Sequence, residues 1–409
     1  MAKTIDELPH LSDVINAQTV LRNIVKKTPL ERSKSFSTMS GANVYLKLEN
    51  LQSTGSFKVR GAYYMMSKLT PEQTKNGVLC ASAGNHAQGV AYAAQRLGIK
   101  SKVFMPTFAP PLKVIATRSY GADVVLTGDC FDDAFNAAME FVKTSGATFV
   151  HPYNHKDIIA GQGTVGLEIF DQLEHIDAVL VPVGGGGLIA GIALTLKQLN
   201  PDIKIIGVEP EGAQSMKASI KANEPRALTS VNTIADGIAV KSPGNMTFEL
   251  TKQYVDEIVT VNDAEIAQTT YMLLQRAKIL AEPAGVAAMA AVLFKKAELT
   301  GMNVVPVISG GNINMSILEQ ILDKGVMDVG LRARIQVLVP DQAGVLMSII
   351  SVLEKVKASI HDIYHERATT SVPVGYVQIM ITFNLQDSVQ LPTILNELDK
   401  KGISYQVLK

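Results

Sequence analysis

Cysteine is almost absent: Cys80 and Cys130 are the only two in 409 residues. Two thiols cannot build a disulfide framework, and a reducing cytoplasm is the compartment expected. Tryptophan is missing altogether, and neither sign of charge is in excess, with 38 Lys and Arg against 38 Asp and Glu. A net charge of zero gives no electrostatic reason to expect nucleic acid or an anionic membrane surface as partner. The first 13 residues are mixed polar and lack the apolar core of an export signal. No H-E-x-x-H or paired C-x-x-C occurs, so there is no strong metal signature. Long apolar runs are also lacking, with one exception at 178–196, which carries no charge. That run contains Pro182 and four consecutive glycines, a break that a bilayer helix tolerates only with compensation from its neighbours. It reads as a strand, a glycine loop and a buried helix, and no second stretch of the kind exists.

Apolar residues make up 47% of the chain, enough for large cores, and the length suggests two or three domains. Short apolar runs at 78–80, 102–105, 123–126, 178–181, 204–208 and 304–308 read as buried strands. Helical patterns lie between them at 86–97, 112–119, 131–145, 162–173, 188–199, 263–280 and 284–299. This alternation predicts an α/β fold, mostly parallel, with helices on both faces. Ligands then bind beyond the carboxyl ends of the strands, where this chain places Ala81-Ser82-Ala83-Gly84-Asn85-His86, Gly184-Gly185-Gly186-Gly187, Glu209-Pro210 and Ser309-Gly310-Gly311-Asn312.

Gly184, Gly185, Gly186 and Gly187 follow a strand and open a helix. Bare backbone N–H groups at a helix start cradle phosphate, and a tight turn alone would need only one or two glycines. A dinucleotide site is the rival reading: Gly185, Gly187 and Ala190 match G-x-G-x-x-A, and Glu209 ends the next strand. Ser53-Thr54-Gly55-Ser56-Phe57-Lys58 leads into a helix at 59–68. An amine at the positive end of a helix, flanked by Phe57 and Val59, has its charged form disfavoured, as Schiff-base chemistry requires. For a lysine taken alone a solvated position is the simpler reading. Likewise Cys80 reads as a small apolar filler and His86 as a structural helix-start residue.

In combination these segments resemble the threonine dehydratases (threonine ammonia-lyases), of the tryptophan-synthase-β-like, fold type II group of pyridoxal-phosphate (PLP) enzymes. The resemblance rests on Ser56-Phe57-Lys58-Val59-Arg60-Gly61-Ala62, the 82–89 segment Ser-Ala-Gly-Asn-His-Ala-Gln-Gly, the 184–187 glycines and Ser309-Gly310-Gly311-Asn312. It spans about residues 10–325, and it favours PLP over a dinucleotide because the latter leaves the lysine, asparagine and serine motifs unexplained. It implies two open-sheet α/β subdomains within a catalytic domain at 1–326, the smaller, mobile one at about 53–152. It implies that Lys58 carries the cofactor and serves as the catalytic base, that Phe57 packs beside the ring and that Asn85 bonds the ring hydroxyl. Gly184, Gly185, Gly186 and Gly187 would hold the phosphate, Ser309 the pyridine nitrogen, and Ser53, Thr54, Ser82 and His86 the substrate carboxylate. The implied reaction converts L-threonine to 2-oxobutanoate and ammonia, and L-serine to pyruvate. A serine dehydratase or racemase on the same scaffold and a non-catalytic amino-acid sensor are the alternatives. The similar serine racemases carry a serine where this chain has Ala83, and a metal site where it has Glu209, Ala213 and Ser215. With serine in place of a carboxylate, Glu209 and Ala213 are weak metal candidates.

From residue 332 the pattern changes to strand, helix, strand, strand, helix, strand, with Ala333, Ile335, Val337 and Val339 alternating as a half-buried strand. This order predicts a ferredoxin-like α+β unit at 331–409. The tail resembles an ACT domain, with Pro340-Asp341-Gln342-Ala343-Gly344-Val345-Leu346 as its first strand-to-helix turn. The resemblance implies an amino-acid effector near Asp341 and Gly344, and a homodimer or homotetramer. The rival reading is a tail that only holds subunits together.

Overall fold

In the computed structural model, residues 8–367, 370–387 and 389–408 are described. Residues 1–7, part of the polar N-terminal segment, lie outside them. The chain divides into two units, Met1–Ile317 and Leu318–Lys409, with the boundary inside the helix Met315–Asp328.

The first unit holds two sheets rather than one. The larger runs in the order Leu30–Arg32, Asn43–Leu48, Asn303–Ile308, Ala178–Pro182, Lys204–Pro210 and Glu257–Val261. Only the first pairing is antiparallel. The smaller runs Asp123–Leu126, Ser101–Met105, Val78–Ala81 and Thr148–Phe149, parallel throughout. Their central strands are apolar on both faces and buried, as parallel strands covered by helices must be.

The predicted strands all form, with ends shifted by a residue or two. Helix ends depart more. The helix predicted at 162–173 runs Lys156–Gln172 and starts six residues early, where the His155 side chain accepts the Asp157 N–H. The helix predicted at 263–280 stops at Met272, passes through a π-turn at Leu273–Ala277 and ends on Lys278 at φ 62°. The helix predicted at 284–299 is Pro283–Leu293, and Lys295 lies at φ 51°.

Helix Lys58–Ser67 crosses helix Lys156–Gln172 at a glycine pair, where a Cβ on Gly161 would lie 2.6 Å from Gly61 Cα. Beside this crossing lies a buried ion network. Arg60 donates to Glu49 through Nε (2.8 Å) and Nη2 (2.7 Å), and to Glu168 through Nη1 (2.7 Å). Lys47 Nζ donates to the other Glu168 oxygen at 2.6 Å. Arg60, Lys47 and Glu49 are fully buried. Two positive and two negative charges thus join the Lys58 helix to the large sheet.

The second unit is a ferredoxin-like α+β fold. Its antiparallel sheet has the order Ser359–Glu366, Tyr376–Asn384, Arg332–Pro340, Tyr405–Leu408. Helices Val345–Lys355 and Gln390–Lys400 pack Ile349, Val352, Leu353, Ile394 and Leu398 onto Ile335, Val337, Ile379 and Ile381. Among the described residues no helix is long and apolar enough to cross a membrane.

Candidate active site

Four loops at strand ends meet around Lys58. Lys58 is the first residue of its helix, and its Nζ donates to Pro152 O at 3.0 Å and lies 5.2 Å from the Phe57 ring centroid. Burial pushes its pKa from 10.5 to about 8, against a smaller upward pull from Glu282. The loop before it is stitched to the 309–312 loop: Phe57 N–H donates to Ser309 O (3.3 Å) and Gly311 N–H to Gly55 O (2.8 Å). Asn312 Nδ2 donates both to Thr54 O (2.8 Å) and to Asn85 Oδ1 (2.7 Å). Asn85 Nδ2 in turn donates to Glu282 Oε1 at 2.5 Å. Asn85, Ser309 and the 53–57 loop that leads into Lys58 are therefore held as one hydrogen-bonded group.

The glycine run has tighter reasons for being glycine than a phosphate alone. A Cβ on Gly185 would lie 2.3 Å from the Tyr153 ring, whose hydroxyl donates to Ser242 O. Gly186 sits at φ 91° as the N-cap of helix Gly187–Leu199, where side chains are strained. The N–H groups of Gly184, Gly185 and Gly186 meet no protein acceptor among the described residues. They are available to an anion at a helix N-terminus.

Of the residues expected to hold substrate carboxylate, Thr54 is buried and its Oγ1 has no partner. Ser53 lies in the same loop, its N–H donating to Gln52 Oε1. Ser82 Oγ accepts the Gly84 N–H at 3.2 Å. His86 is turned elsewhere: its buried ring places Nε2 2.9 Å from Val150 O, and burial and then the Lys58 charge press its pKa down to about 3. It braces the loop as a neutral ring. Glu209 accepts the N–H groups of Met216 (2.8 Å) and Lys217 (2.9 Å), capping helix Ser215–Ala222. Its neighbours Ala213 and Ser215 are buried, and no cluster of three or more His, Cys, Asp or Glu is placed to hold a metal among the described residues.

A family model of pyridoxal-phosphate dependent enzymes matches residues 21–310. The chain belongs to this family. It is 44% identical over 398 residues to the L-threonine ammonia-lyase of Thermotoga maritima, covering 97% of this chain and 99% of that one. It is 41% identical to the L-threonine ammonia-lyase of Geobacter sulfurreducens over 95% and 97% of the two chains. The structure of processed threonine deaminase isoform 2 from Solanum lycopersicum aligns with TM-score 0.75 at 39% identity, over 80% of this chain and 90% of that one.

The residues present fit the family's cofactor. The three free amides at 184–186 suit its phosphate, and a buried lysine of lowered pKa suits its aldehyde. Ser56, Asn50, Pro152, Tyr153, Asn312 and Glu282 were not picked out individually by sequence reasoning. Ser56 Oγ and Asn50 Oδ1 are, like Thr54 Oγ1, buried without a partner. Such orphans cost about 1–3 kcal/mol each until something bonds them. His151 is likewise neutral, pressed to about 4 by burial and then by Lys58, and its Nδ1 accepts the N–H groups of Tyr153 and Asn154. With both rings beside Lys58 neutral, Glu282 is the one charge that raises the amine's pKa.

In the second unit Asp341 is gripped by Arg367, Nε to Oδ2 at 2.7 Å and Nη2 to Oδ1 at 3.2 Å. Gly344 caps helix Val345–Lys355 at φ 92° with open space around it.

Proposed function

We propose that this chain deaminates L-threonine to 2-oxobutanoate and ammonia by α,β-elimination, and also L-serine to pyruvate. Lys58 is the observation that carries the reading: an amine at a helix start, buried, with its pKa lowered to about 8. At pH 7 about one such amine in ten is neutral, against about one in three thousand at an unperturbed lysine. When bound, pyridoxal phosphate supplies an electron-withdrawing ring that acidifies the substrate Cα–H. Lys58 would hold the cofactor, and its Nζ would accept the Cα proton. Thr54 Oγ1 and Ser56 Oγ, buried without partners, offer donors to the substrate carboxylate. Ser309, buried at the strand end, would offer the pyridine nitrogen a hydroxyl rather than a carboxylate. That disfavours a protonated ring and long-lived negative charge, and so favours rapid loss of the β-hydroxyl.

Ala83 argues against racemisation, because a methyl group offers no proton on the opposite face of Cα. An intact Lys58 argues against a non-catalytic sensor. The fold of residues 331–409 supports an ACT-type effector domain that binds an amino acid near Asp341 and Gly344, in a homodimer or homotetramer. The two free cysteines support a cytoplasmic setting. The test is 2-oxobutanoate formation from L-threonine, with pyruvate and D-serine measured from L-serine. D-serine as the main product would replace this reading with the racemase, and no turnover of either amino acid would leave the sensor.

A further inference from the structure

Glu282 is a buried carboxyl group that neither the sequence motifs nor the proposed chemistry uses. It stands at the N-cap of helix Pro283–Leu293, an eleven-residue helix with no charged side chain. Its backbone N–H donates to Gly310 O at 3.1 Å, and a Cβ on Gly310 would lie 2.2 Å from its Oε1. The carboxyl group is therefore wedged between the 309–312 loop and the Asn85 amide.

The partner is what gives this position meaning. An ionised carboxylate only accepts hydrogen bonds. It therefore obliges Asn85 to present Nδ2 to it, at 2.5 Å, and Oδ1 to the other side, where Asn312 Nδ2 donates at 2.7 Å. The second hydrogen on Asn85 Nδ2 is then the only one left for the site. Asn312 Nδ2, held by Thr54 O, enforces the same sense from the other side, so the ionised Glu282 and Asn312 fix the amide together. The charged groups acting on Glu282 are Asp236, from the turn Asp236–Ile238, Lys113, from helix Pro111–Ser119, and Lys58. Lys113 Nζ is already paired with Asp236 at 2.8 Å. Lys58 is thus the unpaired cation of the set, and Glu282 is the one charge that raises its pKa.

We infer that Glu282 is a positioning residue for the cofactor, holding the Asn85 amide together with Asn312 and, through its own charge, setting the protonation of the Lys58 nitrogen. The inference rests on Lys58 carrying pyridoxal phosphate. Burial, and secondarily Asp236, push the Glu282 carboxyl up to about 7, so its charge changes within the working range. As pH falls through that value Glu282 becomes neutral, Lys58 loses its anionic neighbour, and the nitrogen it shares with the cofactor becomes harder to protonate.

The experiment is the visible absorption spectrum of the holoenzyme from pH 5.5 to 9 in the parent, Glu282→Gln and Glu282→Asp proteins, with circular dichroism to confirm folding. The parent band is expected to change with a midpoint near 7. Glu282→Gln, nearly isosteric but without charge, should lose that transition. Glu282→Asp, shorter but still ionisable, should keep a transition while releasing cofactor at least threefold more readily on dialysis. A parent band flat across the range, or a transition with the same midpoint in Glu282→Gln, overturns the inference. A protein with no visible band after incubation with pyridoxal phosphate refutes the cofactor site itself and is distinguishable from either.

Discussion

Replacing Arg60 by methionine strikes a place where four buried charges balance. The guanidinium makes two bonds to Glu49 and one to Glu168, and also donates to Thr164 Oγ1 at 3.2 Å and to Lys26 O at 3.3 Å. Methionine fills much of the same volume and removes the charge. Glu49 and Glu168 are then left with Lys47 alone, so one buried carboxylate has no counter-ion. Removing one partner of a buried pair costs about 3–5 kcal/mol, and Arg60 serves two carboxylates, so the upper half of that range is expected. Burial would raise the Glu49 pKa, but the Arg60 and Lys47 charges outweigh it and hold the group below its ordinary 4.5. Its stabilising contribution is therefore complete above pH 4.5 and lost as pH falls through the folded value. The Arg60→Met, Glu49→Gln double variant restores neutrality and should recover at least half of the loss. The assay is urea unfolding of the parent, both single variants and the double variant, followed by far-ultraviolet circular dichroism because the chain has no tryptophan. A loss under about 1 kcal/mol for Arg60→Met, or a double variant as unstable as the sum of the singles, would refute the charge-balance argument.

Three further outcomes are expected. Gly185→Ala pushes a methyl group to 2.3 Å from the pinned Tyr153 ring, an overpacking of about 1–3 kcal/mol. Its affinity for pyridoxal phosphate, measured by equilibrium dialysis, should fall about tenfold or more, and unchanged affinity would mean that the ring is free to move. Ala83→Ser supplies a hydroxyl in the 82–86 loop, and chiral chromatography should detect D-serine formed from L-serine alongside pyruvate; none above the parent level would show that Ala83 does not limit racemisation. Ending the chain at Gly330 removes the second sheet whole, so threonine turnover should survive while any response to isoleucine or valine disappears. Identical responses in the full and shortened proteins would leave the tail as an assembly element.

What the sequence disclosed depended on how each element earns its stability. Strands such as 178–182 and 303–308 are apolar on both faces and are legible without context. Asn43–Leu48 is buried at Val44, Leu46, Lys47 and Leu48 but is not legible as a strand, because Lys47 interrupts it. Its charge is matched only by residues 168 and 49, one of them over a hundred positions away, which no local pattern reveals. Helix Asp263–Met272 and its π-turn keep an apolar run going past the true end, since the period drifts without breaking. Around the site, loops rich in glycine and hydroxyls announced themselves. Glu282 did not, although a lone acid preceding an uncharged helix was a signal that could have been read. His86 was legible as a residue of the site loop, but its bond to Val150 O depends on where β-strand Thr148–Phe149 exits.

The most direct measurement is the location of the cofactor. Incubating the protein with pyridoxal phosphate, reducing with borohydride and mapping peptides by mass spectrometry should place the pyridoxyl group on Lys58, with threonine deamination lost in the reduced protein and in Lys58→Ala. A label confined to another lysine such as Lys47 or Lys68, or deamination at the parent rate in Lys58→Ala, would contradict the account.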